Sequence, residues 1–208
     1  RVAADHFKAG RCDAAGISTM RARQFNQFMG SIEAVGGITT YEQLRLLLRT
    51  LLDPKLAPLT ISEPYQILGV LPVGGTYIHV RDRAISSIEK AAGKKIAVLD
   101  WDKSQTEIVN KIGAHPVPSN LSNFAGQFNN GQVDIIVAPA IVFRPFELNR
   151  GLGENGGIYR LPLTQMTASF VINREKIKKQ LPDLDDKLIA FRAIAEQFVD
   201  QMLNQTYA

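Results

Sequence analysis

Residues Lys94–Pro118 read KKIAVLDWDKSQTEIVNKIGAHPVP, and the fold class follows from this stretch. Lys95–Leu99 is a short apolar run after two lysines, the pattern of a buried strand. Asp100, Trp101 and Asp102 follow as a polar-aromatic loop. Ser104 and Glu107 have the S-x-x-E spacing of a capping box, which predicts a helix running to about Ile112. Gly113, tolerant of left-handed backbone, stops that helix, and an extended piece broken by Pro116 and Pro118 comes next. Strand–loop–helix–strand is the unit of a parallel sheet, and its loop lies at the carboxyl end of the strand, where such sheets bind ligands. Every α/β protein has loops of this kind. A tryptophan between two aspartates is an unusual composition for one that only connects.

On the amino-terminal side, residues 1–9 read as the second half of a helix, as in a processed or truncated chain, and Gly10 caps it. Cys12–Ser18 is a small-residue strand, followed by a loop with Thr19, Met20, Arg21 and Arg23. Tyr41, Leu44, Leu47, Leu48, Leu51 and Leu52 recur at helical spacing after Thr40, until Pro54 and Pro58 end the helix. Gln66–Leu71 and Thr76–Val80 are strand-like runs separated by Pro72-Val73-Gly74-Gly75, and Ser87–Ala92 is a helical turn. On the carboxyl-terminal side come a short helix over Ser122–Phe128, a buried strand at Val133–Ala138 and a helix within Phe143–Leu152. A strand at Ala168–Ile172 and a long amphipathic helix over Ile189–Leu203 close the chain, the latter with Phe191, Ile194, Ala195, Phe198 and Met202 on one face. Phe7-x-x-Gly10-x-x-Asp13 and Phe128-x-x-Gly131-x-x-Asp134 share one spacing, each ending a helix and opening a strand. The echo predicts two similar helix–Gly–strand units in two lobes, with ligand space between them.

The 208 residues suit one large domain or two small lobes. A net charge of +4, from 24 basic and 20 acidic residues mixed along the chain, is too mild for a nucleic-acid binder, which needs a concentrated basic stripe. No apolar run approaches the ~20 residues of a membrane span. The single cysteine, Cys12, excludes an internal disulfide and a cysteine-rich metal site. His6, His79 and His115 lack metal spacing and read as surface or capped histidines. Gly151-x-Gly153-x-x-Gly156 matches a dinucleotide fingerprint literally, but a helix-like segment precedes it and Pro162 follows, so it reads as a flexible loop. Asp183, Asp185 and Asp186 precede a helix and suit its positive end better than a cation. No nucleophile elbow occurs, and no catalytic residue, metal or cofactor is expected.

From about Gln66 onward the chain resembles the solute-binding proteins of tripartite ATP-independent periplasmic (TRAP) transporters. The resemblance is carried by ILGVLPVGGTYIHVRDRAISSIEKAAGKKIAVL, by Lys111–Pro118 (KIGAHPVP), by Phe128–Pro139 (FNNGQVDIIVAP) and by Phe170–Pro182 (FVINREKIKKQLP). It implies an α/β, two-lobed type II periplasmic binding protein-like fold whose first lobe is incomplete at its amino terminus. Residues 1–76 are then the remainder of the first lobe, 77–168 the second lobe, and 169–208 a return strand with carboxyl-terminal helices packing across both. It also implies a non-enzymatic periplasmic protein that closes on a small-molecule solute and hands it to a membrane permease. Two departures bear on the solute. Where the family's K-I-R-V strand supplies an arginine to the ligand carboxylate, this chain has Lys95-Ile96-Ala97-Val98. The family's V-D-G-A-E-N-P stretch reads Val133-Asp134-Ile135-Ile136-Val137-Ala138-Pro139, without its polar contacts.

The expected ligand-binding residues are therefore Trp101, Asp100 and Asp102 after one strand, Thr19 and Arg21 after another, Tyr77 on the crossing strand, and Arg144 beyond Val133–Ala138. An acid pair without the arginine favours a neutral or cationic solute over a simple carboxylate. Two other readings stand beside this one. The first is an accessory, efflux-associated component that keeps the fold without solute delivery. The second is a small α/β enzyme using the Asp100–Asp102 loop.

Overall fold

Phe7 anchors the first helix, α1 (Val2–Lys8), in an aromatic cluster, with Phe25 at 5.0 Å and Tyr65 at 5.5 Å between ring centroids. The computed structural model of the protein describes residues 2–206. Two compact units divide the chain: Arg1–Gly75 with Leu163–Ala208, and Thr76–Pro162. In the first unit Gly10, at φ +72°, turns α1 into strand β1 (Ala14–Ser18), a conformation that costs a side-chain-bearing residue. The short helices α2 (Thr19–Ala22) and α3 (Met29–Ile32) follow, then α4 (Tyr41–Thr50). Thr40 and Gln43 cap α4 reciprocally, Gln43 N–H donating to Thr40 Oγ1 at 3.3 Å and Thr40 N–H to Gln43 Oε1 at 3.2 Å. Leu44 and Leu48 of α4 enter a core with Phe7, Ile17, Phe25, Met29, Ile67 and Val171. Each such side chain contributes about 1.5–3 kcal/mol relative to exposure.

Strand β2 (Ile61–Ser62) pairs with the start of β3 (Tyr65–Val80). The two runs expected at Gln66–Leu71 and Thr76–Val80 are thus one strand. Pro72–Gly75 lies between a stretch that pairs with β2 and a stretch that begins pairing with β6 at Thr76, and the strand runs on through it.

The second unit contains helix α5 (Ile88–Ala91), strand β4 (Lys95–Leu99), helix α6 (Lys103–Lys111), strand β5 (His115–Ser119), helix α7 (Phe124–Asn129), strand β6 (Ile135–Pro139), helix α8 (Leu148–Leu152) and strand β7 (Gly157–Ile158). β5, β4 and β6 are parallel neighbours, and the end of β3 closes the sheet antiparallel to β6. Alternation along β4 sends Ile96 and Val98 to a core with Val109 of α6, while Ala97 packs beside Phe128 of α7 and Leu148 of α8. Helices therefore cover both faces of a parallel sheet, which is why its strands read as unbroken apolar runs. α8 is shorter than the helix expected within Phe143–Leu152, and α7 begins two residues later than Ser122.

β8 (Thr164–Asn173) returns the chain to the first unit, antiparallel to β1, with Ile17 opposite Ser169. Asn173 caps α9 (Arg174–Gln180) through the Lys176 N–H at 3.1 Å, and α10 (Leu184–Thr206) ends the description. The face expected on this helix changes. Val199 is buried in the core, whereas Ile194 and Phe198 are exposed. The side chains of Phe191 and Ala195 lie outside the described residues. α10 is tied to α4 by Arg49–Asp200 at 2.5 Å and Arg45–Asn204 at 2.8 Å.

The echo at Phe7 and Phe128 is structural. Phe128 is as buried in its unit as Phe7 is in the first, and Gly131 has φ +74°. A cation sits on each cap: Lys176 Nζ donates to Gly10 O at 2.9 Å, and Arg81 Nη1 to Phe128 O at 2.6 Å.

Candidate functional site

β4, β5 and β6 run parallel, so their carboxyl ends share one edge of the second unit's sheet. β3 runs the other way and brings Thr76 opposite Pro139 and Tyr77 opposite Ala138 at that edge. Pleating and register set two rows on one face. Tyr77, Ala138, Leu99 and Ser119 are outermost; His79, Ile136, Ala97 and Val117 lie one step inside. Ala138 and Ile136 are fully buried, while Tyr77, Leu99, Ala97 and Val117 remain half-buried.

Backbone hydrogen bonds close the β4–α6 loop at this edge. Asp100 N–H donates to Ser119 O and Asp102 N–H to Leu99 O, both at 2.9 Å, which tightens the turn. Helix α6 consequently starts at Lys103, with Asp102 as its cap: the carboxylate, only 3 % exposed, accepts from Ser104 N–H at 3.1 Å. The expected Ser104–Glu107 box does not form. Asp100 stays exposed and Trp101 is half-buried. Sequence reading missed Gln105, whose Oε1 accepts from Leu99 N–H at 3.0 Å, and Gln127, whose Oε1 lies 2.5 Å from the donating Ser119 hydroxyl. Both are side-chain acceptors folded back on strand ends, which no spacing rule announces.

Arg144 is exposed in the loop after β6. Its neighbour Phe143 stacks on the His79 ring with centroids 6.0 Å apart. Nδ1 of His79 lies 3.0 Å from Tyr77 O, and burial pushes the imidazole below its ordinary pKa, so it is neutral at pH 7. Tyr77, Asp100, Trp101 and Arg144 thus come to one edge of one unit. Gly151, Gly153 and Gly156 belong to α8 and the turn after it rather than to a flexible loop. A Cβ on Gly151 would meet the Phe128 ring at 2.2 Å, and one on Gly156 would meet Leu152 O at 2.4 Å. Close packing calls for glycine at 151 and 156, and a left-handed backbone, φ +53°, at Gly153.

Thr19 and Arg21 follow the carboxyl end of β1 in the first unit. Thr19 is fully buried, its hydroxyl 2.7 Å from that of Ser169, and Arg21 is half-buried. Glu33 links this segment to β8: its buried carboxylate accepts from the backbone of Met20, and from Thr167 N–H at 2.6 Å and Thr167 Oγ1 at 2.8 Å. Burial pushes the Glu33 carboxyl above the usual range, against those hydrogen bonds. A concavity on α4, lined by Tyr41, Glu42, Arg45, Leu46 and Arg49, contains none of the expected ligand residues. Among the described residues no group of three or more His, Cys, Asp or Glu is placed to hold a metal, and no helix is long and apolar enough to cross a membrane.

Known proteins resemble this chain in sequence and in fold. Two relatives from Acinetobacter baumannii are named "Probable solute-binding protein AdeT1", 43% identical over 176 residues, and "Probable solute-binding protein AdeT2", 30% identical over 144 residues. The matches cover 85% and 69% of this chain, but 58% and 60% of those relatives. Among solved structures, a TRAP periplasmic solute-binding protein from Ralstonia eutropha with bound (S)-2-acetolactate superposes with a TM-score of 0.76 at 17% identity, covering 97% of this chain and 62% of that one. The ectoine-binding protein TeaA of the TeaABC TRAP transporter gives 0.71 at 16% identity, covering 97% and 65%. A TRAP protein from Desulfovibrio desulfuricans with bound sn-glycerol-3-phosphate gives 0.74 at 16% identity, covering 98% and 63%. At such identities these structures establish the fold: that of the two-lobed TRAP periplasmic binding proteins. The chain spans about three fifths of its curated relatives. The model for the family described as "Solute-binding protein AdeT 1/2" matches residues 1–205, and the chain belongs to that family.

Proposed function

We propose that this protein captures a small solute in the periplasm and passes it to a membrane permease, without chemical turnover, and that the solute is not a simple carboxylate. Trp101, Asp100, Tyr77 and Arg144 are the proposed contacts, all on the second unit; Thr19 of the first unit is fully buried with its hydroxyl against Ser169, so it packs that unit instead of meeting a solute. Asp102 acts through the loop, holding its turn as the cap of α6. The observation that carries the reading is Ala97. It is half-buried on the face of Tyr77, three residues before Asp100, at the strand position where the resemblance to TRAP proteins calls for a carboxylate-binding arginine. A carboxylate buried there without a cationic partner loses a charge-assisted hydrogen bond and its hydration, on the order of 1–3 kcal/mol or more.

A thermal-shift screen of the chain against amines, amino sugars, sugar acids and dicarboxylates tests this. A ligand at a hundredfold excess over its Kd stabilises by about 2.7 kcal/mol, a readable shift. The expected outcome is a saturating shift with a neutral or cationic compound, recovered unchanged afterwards. Conversion of the compound favours the enzyme reading instead. Silence across every class favours an accessory component that keeps the fold without solute delivery.

A further inference from the structure

The second unit carries apolar surface at the edge where a polar-ligand site needs donors and acceptors. Ala97 on β4 and Val117 on the edge strand β5, partners in register, are half-buried. Phe124, Val142 and Phe143 are likewise half-buried and pack on the same core cluster as Ala97 and Val117. Their places in the chain fix where they stand. Phe124 opens α7 just after β5, and Val142 and Phe143 follow β6, so all three belong to loops leaving the carboxyl edge. Phe146, 40% exposed, meets Phe124 edge to face with centroids 5.5 Å apart. Trp101 leaves the same edge from β4. The acceptors that line it, Ser119 and Gln127, are already bonded to one another, and Gln105 is occupied by the Leu99 N–H. Asp100 and Arg144 are exposed charges at the rim, and Lys103 is exposed at the start of α6.

We infer that this edge takes a solute with an apolar, ring-bearing body. The body lies on Tyr77, Ala97 and Val117 against Phe124 and Phe146, and the polar end projects to Asp100 at the rim. Aromatic walls favour flat rings through stacking and edge contacts, and a half-buried alanine in place of a long cation leaves room for such a body rather than for a hydrated head group. The inference deepens the proposed function and rests on it.

The test is saturable binding of N-phenyl-1-naphthylamine, a neutral aromatic amine that fluoresces in apolar surroundings, followed by displacement with phenethylamine and with n-propylamine. These competitors share a charge and differ in the ring. The inference expects about one dye per chain and displacement by phenethylamine at concentrations at least about tenfold below those of n-propylamine. Ala97→Arg should weaken the dye at least about tenfold, and the milder Phe146→Ala roughly threefold to tenfold. Leu161→Ser removes an 83% exposed leucine of the same unit and should change nothing. No saturable dye binding, equal displacement by the two amines, or a loss confined to Leu161→Ser overturns the inference. If hydrophilic amines or amino sugars stabilise the chain in the thermal screen while ring compounds neither stabilise nor displace, solute capture stands and the apolar class falls. If nothing binds in either experiment, both fall.

Discussion

Asp100 and Asp102 stand two residues apart, and the structure gives them different work. Asp102 is buried on the first amides of α6, whereas Asp100 is exposed at the end of β4. Asp102→Ala should therefore cost about 1 kcal/mol of stability, read as a lower urea midpoint. Asp100→Asn should stay within about 0.5 kcal/mol and be felt in solute affinity instead. The sequence showed an acid pair around a tryptophan, but not which acid caps the helix, because Ser104-x-x-Glu107 offered an equally good local box. The Asp102-to-Leu99 hydrogen bond decided it by starting the helix at Lys103. His79 carries a pH prediction. Its imidazole pKa is lowered in the folded protein by burial, from an ordinary value of 6.5. The unfolded chain then binds the proton first as pH falls, so stability present above 6.5 is lost as pH drops below it toward the depressed folded value. Urea midpoints at two pH values either side of 6.5 should separate for the native chain, and the gap should shrink in His79→Phe. An equal gap in the two would remove His79 from the account.

At the scale of elements, the parallel-sheet unit was legible because its apolar run, polar loop and glycine stop agree with one another. Strand β3 was not, because Pro72 and two glycines look like a turn until two different pairing partners are seen on either side of them. α10 hid its inward face for a related reason. A helix with apolar residues on several sides has no single stripe, and Val199 rather than Ile194 or Phe198 meets the core. Glycines in two helices make a paired test. Gly126 of α7 has open space where a Cβ would go, so Gly126→Ala should stabilise by about 0.5–1 kcal/mol through helix propensity. Gly151→Ala of α8 drives a methyl into the Phe128 ring and should destabilise by about 1–3 kcal/mol. Chemical denaturation of both variants reads the two signs directly.

At the scale of the molecule, composition bounded the class and the helix–Gly–strand echo announced two related units. The cations on the two caps, Lys176 and Arg81, were not legible, since each comes from an element distant in sequence. Arg174 is the same kind of long-range tie. It is buried to 9% exposure, its Nη1 donating to Gln66 Oε1 at 2.5 Å and its Nη2 to both Asp185 carboxylate oxygens at 2.6 and 2.8 Å, joining β3, α9 and α10 of the first unit. Arg174→Met should cost on the order of 1–3 kcal/mol, because the buried Gln66 acceptor is left without its donor. Its thermal midpoint should fall accordingly. The proposed function belongs to the whole chain: capture of a solute, with Ala97 proposed to turn it away from carboxylates. Calorimetry of the native chain against small dicarboxylates, sugar acids and amine or amino-sugar compounds tests it most directly. The account predicts binding of a neutral or cationic compound, weakened by Asp100→Asn, with no carboxylate bound at micromolar affinity. Micromolar binding of a carboxylate, abolished by Arg144→Ala and untouched by Asp100→Asn, would contradict it.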